Sequence, residues 1–284
     1  MIVVTGATGQ LGRLVINQLL RTRPASGIVA AVRDPAKASD LAALGVQVRQ
    51  ADYTRPDTLR GAFAGASRVL LISSSEVGAR TAQHAAVIDA ARHAGVELLG
   101  YTSLLHADSS PLGLATEHRA TEAAILASGL PHVLLRNGWY TENYARAIPA
   151  ALAHGALIGS AGAGRIASAA RADYAAAAAA AISADIVENR IYELAGDEGY
   201  TLDEFAAELS RQSGKPVPYV DMSEAGYRAA LVQAGLPAPI AAMLADSDRG
   251  AAQGGLDDTG RELSALIGRP TTPMAATVAA TLAG

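Results

Sequence analysis

Three glycines spaced by two residues, Gly6, Gly9 and Gly12 in TGATGQLG (5–12), follow a short apolar run and open an amphipathic stretch. Bare glycine lets a backbone turn tightly and approach a ligand closely, and the amides that start a following helix attract an anion. The spacing is G-x-x-G-x-x-G rather than G-x-G-x-x-G, but the mechanism is unchanged. In a strand–turn–helix setting it predicts a cradle for the pyrophosphate of a dinucleotide.

The end of the second strand says which dinucleotide. NAD binders place an acidic residue about 20 positions after the glycines, to hold the ribose 2′-hydroxyl. Here AAVRDPAKA (30–38) carries Arg33 at that place, with Lys37 one helical turn on. A guanidinium pairs bidentately with a phosphate, which points to NADPH; Asp34 beside it weighs the other way. Asp52 in QADYT suits either the adenine amino group or the cap of its own turn. Ser73, Ser74 and Ser75 end the fourth strand, where the carboxyl edge of such a sheet faces its ligand.

The elements that must position these residues alternate. IVVT is followed by a helix with Leu11, Leu14, Val15 and Leu19 at helical spacing. Further strands are expected at 27–33, 46–52, 68–73, 96–103 and 132–137, with helices near 56–64, 78–94 and 115–128. Several strands are apolar on both faces, as in a parallel sheet covered by helices on each side. The fold class is α/β, a doubly wound parallel sheet of the NAD(P)-binding Rossmann type with a smaller C-terminal α/β lobe. The expected division is 1–136 for the nucleotide domain and 137–284 for a substrate lobe. A segment near 190–196 is a candidate to return to the main sheet. Residues 155–169 read as an irregular strand pair around a glycine turn, and two or three helices are expected at the C-terminal end. Thr201, Glu204 and Gly214 mark a helix with a capping box and a glycine stop.

Composition excludes several classes. With no cysteine there are no disulfides, thiolate chemistry or Cys-ligated metals, and no metal site is expected. A net charge of −4 gives no general attraction to nucleic acid. YAAAAAAAI (174–182) falls well short of the ~20 residues that span a bilayer. Without an N-terminal leader pattern, a cytoplasmic protein without membrane insertion is expected, and a homodimer is left open.

The chain has only two lysines, Lys37 and Lys215, and Arg33 and Arg211 stand four positions before them, so no Tyr-x-x-x-Lys pair exists. That pair supplies the proton when a ketone is reduced. A hydroquinone anion is far more stable than an alkoxide, so a site without the pair suits quinones or similar conjugated acceptors. No G-x-S-x-G elbow, H-E-x-x-H helix or Walker loop supports a hydrolase or kinase.

TGATGQLG, AAVRDPAKA, YTSLLHADSSPLGLATEHRATEAAI, LLRNGWYTENY and ADSDRGAAQGGL together resemble the bacterial NAD(P)H:quinone oxidoreductases of the NmrA-like, atypical short-chain dehydrogenase group. The resemblance runs along nearly the whole chain. It implies a Rossmann domain with a small C-terminal substrate lobe, NADPH as cofactor and direct two-electron reduction of a quinone without a flavin. By position it carries cofactor contacts onto Gly6, Ala7, Thr8, Gly9, Gln10, Leu11, Arg33, Ser73, Ser74 and Ser75, and onto the loop Asn137, Gly138, Trp139, Tyr140, Thr141 and Glu142. The alternative for that loop is an Asn-Gly turn with Trp139 filling core. NmrA-like proteins also include non-catalytic NADP(H)-binding sensors, the second functional reading.

Three residues are catalytic candidates. Tyr140 and Asn143 follow the sixth strand, where the nicotinamide is expected, and His118 opens the helix where standard enzymes carry their catalytic pair. A lone helical histidine is more often structural, which is the other reading of His118. Arg171 in SAARADYA suits either a cofactor phosphate or an ion pair with Asp173. Trp139, Tyr140 and Tyr144 offer flat rings for a quinone.

Overall fold

The computed structural model describes all 284 residues. Nine strands form: β1 (Ile2–Thr5), β2 (Ile28–Val32), β3 (Gln47–Gln50), β4 (Arg68–Leu71), β5 (Leu98–Leu104), β6 (His132–Asn137), β7 (Leu157–Gly159), β8 (Arg190–Leu194) and β9 (Tyr219–Asp221). Seven of them make one sheet in the order β3-β2-β1-β4-β5-β6-β8, and β1 to β6 pair in parallel. Asn189 accepts from the start of β6 at His132, and Leu194 from Gly138 just past its end, so β8 runs the same way. This is the doubly wound fold that the alternating pattern predicts.

The apolar runs in β1, β2, β4 and β5 are buried on both faces, because helices cover both sides. With few aromatics, the interior relies on Val, Leu, Ile and Ala, joined by Phe63 and Tyr101. Gly100 shows how tight this is: an added Cβ would meet Leu70 at 3.0 Å and Ile182 at 3.2 Å.

The chain divides into two compact units whose segments interleave. One comprises Met1–Leu104, Thr116–Asn137 and Ala172–Tyr192; the other comprises Leu105–Ala115, Gly138–Arg171 and Glu193–Gly284. In the second unit, 155–169 departs from the expected strand pair. β7 instead pairs in parallel with β9, sixty residues on in the chain, and Ile166 makes an isolated antiparallel bridge to Tyr200. The two arms of the glycine turn find partners elsewhere, which local pattern cannot show. The helix Leu202–Ser213 has the capping box of Thr201 and Glu204 and ends on Gly214 in the left-handed region. Four helices follow it rather than two or three: Glu224–Gln233, Ala238–Ala252, Glu262–Ile267 and Met274–Ala283. No helix is long and apolar enough to cross a membrane.

Asp248 is a buried carboxyl in this unit. Its oxygens accept from the Tyr144 hydroxyl at 3.2 Å and the Ser160 amide at 2.9 Å. Burial nevertheless pushes its pKa up to about 6, from 3.8. The native state therefore holds a proton that the unfolded chain has released between those values. The resulting stability is complete below about pH 4 and is lost as pH rises through about 6, a change of at most about 3 kcal/mol. Asp248→Asn, which can accept from Ser160 and donate to Tyr144, should exceed the parent in urea-denaturation stability at about pH 8. The two should converge at about pH 4.

Candidate active site

The glycine turn is built on backbone proximity. Gly6 leaves β1 with φ +58°, a conformation that favours glycine, and its carbonyl accepts from the Gly9 amide at 2.9 Å. The helix Gln10–Leu19 then starts with Gly9 at its N-cap, no side-chain cap and no acidic residue in its first turn. Its first amides are left for a ligand. Gly12 lies against the turn so closely that a Cβ would stand 2.5 Å from the Gly6 oxygen and 2.7 Å from the Ala7 Cα. Ala7 and Leu11 are buried, Thr8 is half-buried, and Gly9 and Gln10 are exposed. Arg13, absent from the sequence reading, clamps this loop: Nε donates to Thr8 O at 3.1 Å, a second nitrogen donates to Lys37 O at 2.8 Å, and it pairs with Asp40.

Arg33 stands past the end of β2 with its side chain 72% exposed, paired with the Glu76 carboxylate at 2.9 Å. Its neighbour Asp34 turns away and caps a short 3-10 turn by accepting from the Ala36 amide at 3.1 Å. Asp52 does likewise, accepting from the amide and hydroxyl of Thr54 at 2.9 and 2.7 Å. These bonds hold its carboxyl below the usual range. Of its two readings, the turn cap is the one the structure forms.

Ser73, Ser74 and Ser75 follow β4, and a polar network fixes the first two while Ser75 is exposed. The Ser73 amide donates to Thr102 Oγ1 at 2.9 Å, and the Ser74 amide to His84 Nε2 at 2.9 Å. The Ser74 carbonyl accepts from Arg80 Nε at 2.8 Å. Arg80 reaches His118 Nε2 at 3.3 Å, while His118 Nδ1 lies 2.7 Å from the Tyr101 hydroxyl. Both ring nitrogens of His118 thus face buried partners. Burial, then the Arg80 charge, drives His118 down to about 3, and His84 likewise. Burial also raises the Tyr101 hydroxyl above its ordinary value. His118 and Tyr101 thus sit uncharged in the interior beside the Arg80 guanidinium. Nearby, Arg136 and Glu122 form a buried pair through Arg136 Nε at 3.0 Å and a second nitrogen at 2.8 Å, and Ser103 donates to the same carboxylate. Asn137, the last residue of β6, is buried with its Oδ1 unpartnered.

In the second unit the loop after β6 is held by main-chain bonds. The Thr141 amide donates to Ala169 O at 3.0 Å, and the Ala169 amide to Trp139 O at 3.2 Å. Thr141 Oγ1 lies 2.7 Å from Ser168 Oγ, which lies 2.6 Å from the Tyr200 hydroxyl. Glu142 accepts the Arg171 amide on both oxygens, at 2.9 and 3.0 Å, capping the helix Arg171–Ser183. The Arg171 guanidinium stacks over Tyr140, 4.6 Å from the ring centre, and contacts Asn143 Oδ1 at 3.4 Å. Tyr140, Glu142, Asn143 and Arg171 are therefore one cluster, with Tyr140 and Asn143 half-exposed. Trp139 and Tyr144 are buried, and Tyr144 belongs to the Asp248 interior. A cavity of about 630 Å³ lined by Tyr200, Glu204, Glu208, Arg211 and Met274 takes in none of the predicted site residues.

The model of a family described as NAD(P)H-binding matches residues 6–185. Quinone oxidoreductase 2 of Escherichia coli is 59% identical over 278 residues, which are 98% of this chain and 97% of that one. The crystal structure of an E. coli NADPH-dependent quinone oxidoreductase complexed with NADPH has a TM-score of 0.97 at 58% identity, covering 99% of this chain and 100% of that one. Triphenylmethane reductase from Citrobacter sp., complexed with NADP(H), has a TM-score of 0.95 at 41% identity, covering 99% and 100%.

The contact at Gly12 generates a prediction that needs no ligand. Gly12→Ala places a methyl group against main-chain atoms at 2.5 and 2.7 Å, where no rotamer change relieves it. Overpacking of this kind costs about 1–3 kcal/mol, so the variant should unfold at lower urea concentration, followed by Trp139 fluorescence. An unchanged midpoint would show that the helix can slide.

Proposed function

The chain belongs to the NAD(P)H-binding family, and on that premise we propose that it is an NADPH-dependent quinone reductase. The observation that carries this is its near-identical fold and full-length similarity to a quinone oxidoreductase that binds NADPH. The residues present fit the cofactor. The uncapped helix start, held against the turn by the close approach at Gly12, suits a pyrophosphate. The unpartnered Asn137 Oδ1 suits the amide hydrogens of a carboxamide.

The turn from Gly6 to Leu11 would hold the phosphates, with the amides at the helix start donating to them, and Arg33 would pair with the 2′-phosphate. Ser73 to Ser75 line the carboxyl edge, with Ser74 fixed by His84 and Arg80. Asn137 orients the nicotinamide, and the loop from Gly138 to Glu142 continues from it along the chain. Arg171 braces Tyr140 and Asn143, which orient the acceptor. Bound NADPH supplies the hydride, and the quinone takes it up together with one proton. Because the hydroquinone anion is stable, water or a weak donor at the half-exposed Tyr140 suffices. The protein's contribution is proximity and orientation. His118 takes no part in proton transfer in this reading, since both its nitrogens are engaged in the interior.

The alternative, a sensor that binds NADP(H) without turnover, is less supported than a reductase. Purified protein with NADPH and a panel of quinones separates the two. Quinone-dependent loss of reduced-nicotinamide absorbance is expected, and none with any quinone would sink the enzyme reading. For the cofactor, Arg33→Glu should weaken NADPH binding by at least roughly tenfold and leave NADH binding little changed. Equal losses for both would remove Arg33 from the 2′-phosphate.

A further inference from the structure

We infer that Glu76 sets how strongly this protein distinguishes NADPH from NADH. The inference rests on the assignment of Arg33 to the 2′-phosphate.

Arg33 follows β2 and Glu76 follows β4, and β1 lies between those two strands in the sheet. Their ion pair at 2.9 Å therefore crosses the carboxyl edge above β1, the strand from which the glycine turn departs. Glu76 is held in this pose. Its second oxygen accepts from Gln83 Nε2 at 2.6 Å, and its amide donates to Ser74 Oγ at 3.1 Å. Gln83 is itself buried, so the carboxylate is anchored from below while Arg33 stands in solvent.

The placement has two consequences for a cofactor. A 2′-phosphate must take guanidinium donors that a carboxylate now occupies, and it must sit beside that negative charge. An exposed pair such as this one contributes little, so the exchange is readily made, but it subtracts from NADPH affinity. A 2′-hydroxyl meets the opposite situation. NAD binders hold it with an acidic residue at the end of the second strand, and here that place is Arg33. Glu76 brings a carboxylate to the same spot from the far side of β1, as an acceptor for the hydroxyl of NADH. One anion thus lowers affinity for the phosphorylated cofactor and offers a bond to the other.

The test is a pair of binding titrations, NADPH and NADH, read by reduced-nicotinamide emission, on the parent, Glu76→Gln, Glu76→Ala and Arg33→Ala. Glu76→Gln keeps the shape and the contact to Gln83 while removing the charge; Glu76→Ala guards against a glutamine that still engages Arg33. Both should tighten NADPH by roughly threefold to tenfold, with NADH unchanged or weaker, so that the affinity ratio rises. A ratio unchanged or lowered in both variants, with Arg33→Ala losing NADPH selectively, overturns the role of Glu76 and leaves Arg33 in place. Equal loss of NADPH and NADH in Arg33→Ala overturns both.

Discussion

The site hangs on one steric fact: the first turn of the Gln10–Leu19 helix stands closer to the Gly6 carbonyl than any side chain at position 12 would allow. Because of that approach, the helix start faces back over the end of β1, and its free amides and positive pole share one direction. β1 lies inside the sheet, with β2 and β4 on either side. The segments that leave those two strands, carrying Arg33 and Ser73 to Ser75, therefore flank the turn. The Ala7 amide, bonded to Ala31 at 3.4 Å, ties the turn to β2. A wider helix–turn spacing would leave the same residues present and their directions unrelated.

What this chain does with its interior polar groups bears on the reaction. Tyr101, His118, Arg80 and His84 form a chain of bonds that ends on the backbone of Ser74. Burial makes the two imidazoles hard to protonate and the phenol hard to ionise. Near neutral pH burial thus favours the uncharged forms of these three side chains. They set the height and direction of the loop after β4.

Much of this was legible in the sequence, wherever the cause is local. The first six strands, the glycine turn and the Thr201–Glu204 capping box depend on neighbours within a few residues, and each was readable. The pairing of β7 with β9 depends on a partner sixty residues away, so residues 155–169 suggested a hairpin that does not form. Asp34 and Asp52 are acidic residues at ligand-facing strand ends, and type alone could not separate ligand from cap; each carboxylate is bonded within two residues of itself. Arg13, Arg80 and Glu76 went unread because their partners come from other elements, although Arg13 sits one residue past the third glycine. Arg171 stacking on Tyr140 was likewise invisible, since 31 positions separate them.

Two arginines lie near the glycine turn, and their surroundings decide which one meets a ligand. Arg13 is bound to two carbonyls, Thr8 and Lys37, and to the Asp40 carboxylate. Drawing it onto a phosphate would strand those acceptors and loosen the turn that the phosphate itself requires. Arg33 has one anionic partner and a largely solvated side chain. Replacing one carboxylate by a doubly charged phosphate there costs little and leaves no backbone group unpaired. In the proposed reading the 2′-position is met by Arg33 and the group that holds it, while Arg13 holds the turn in shape.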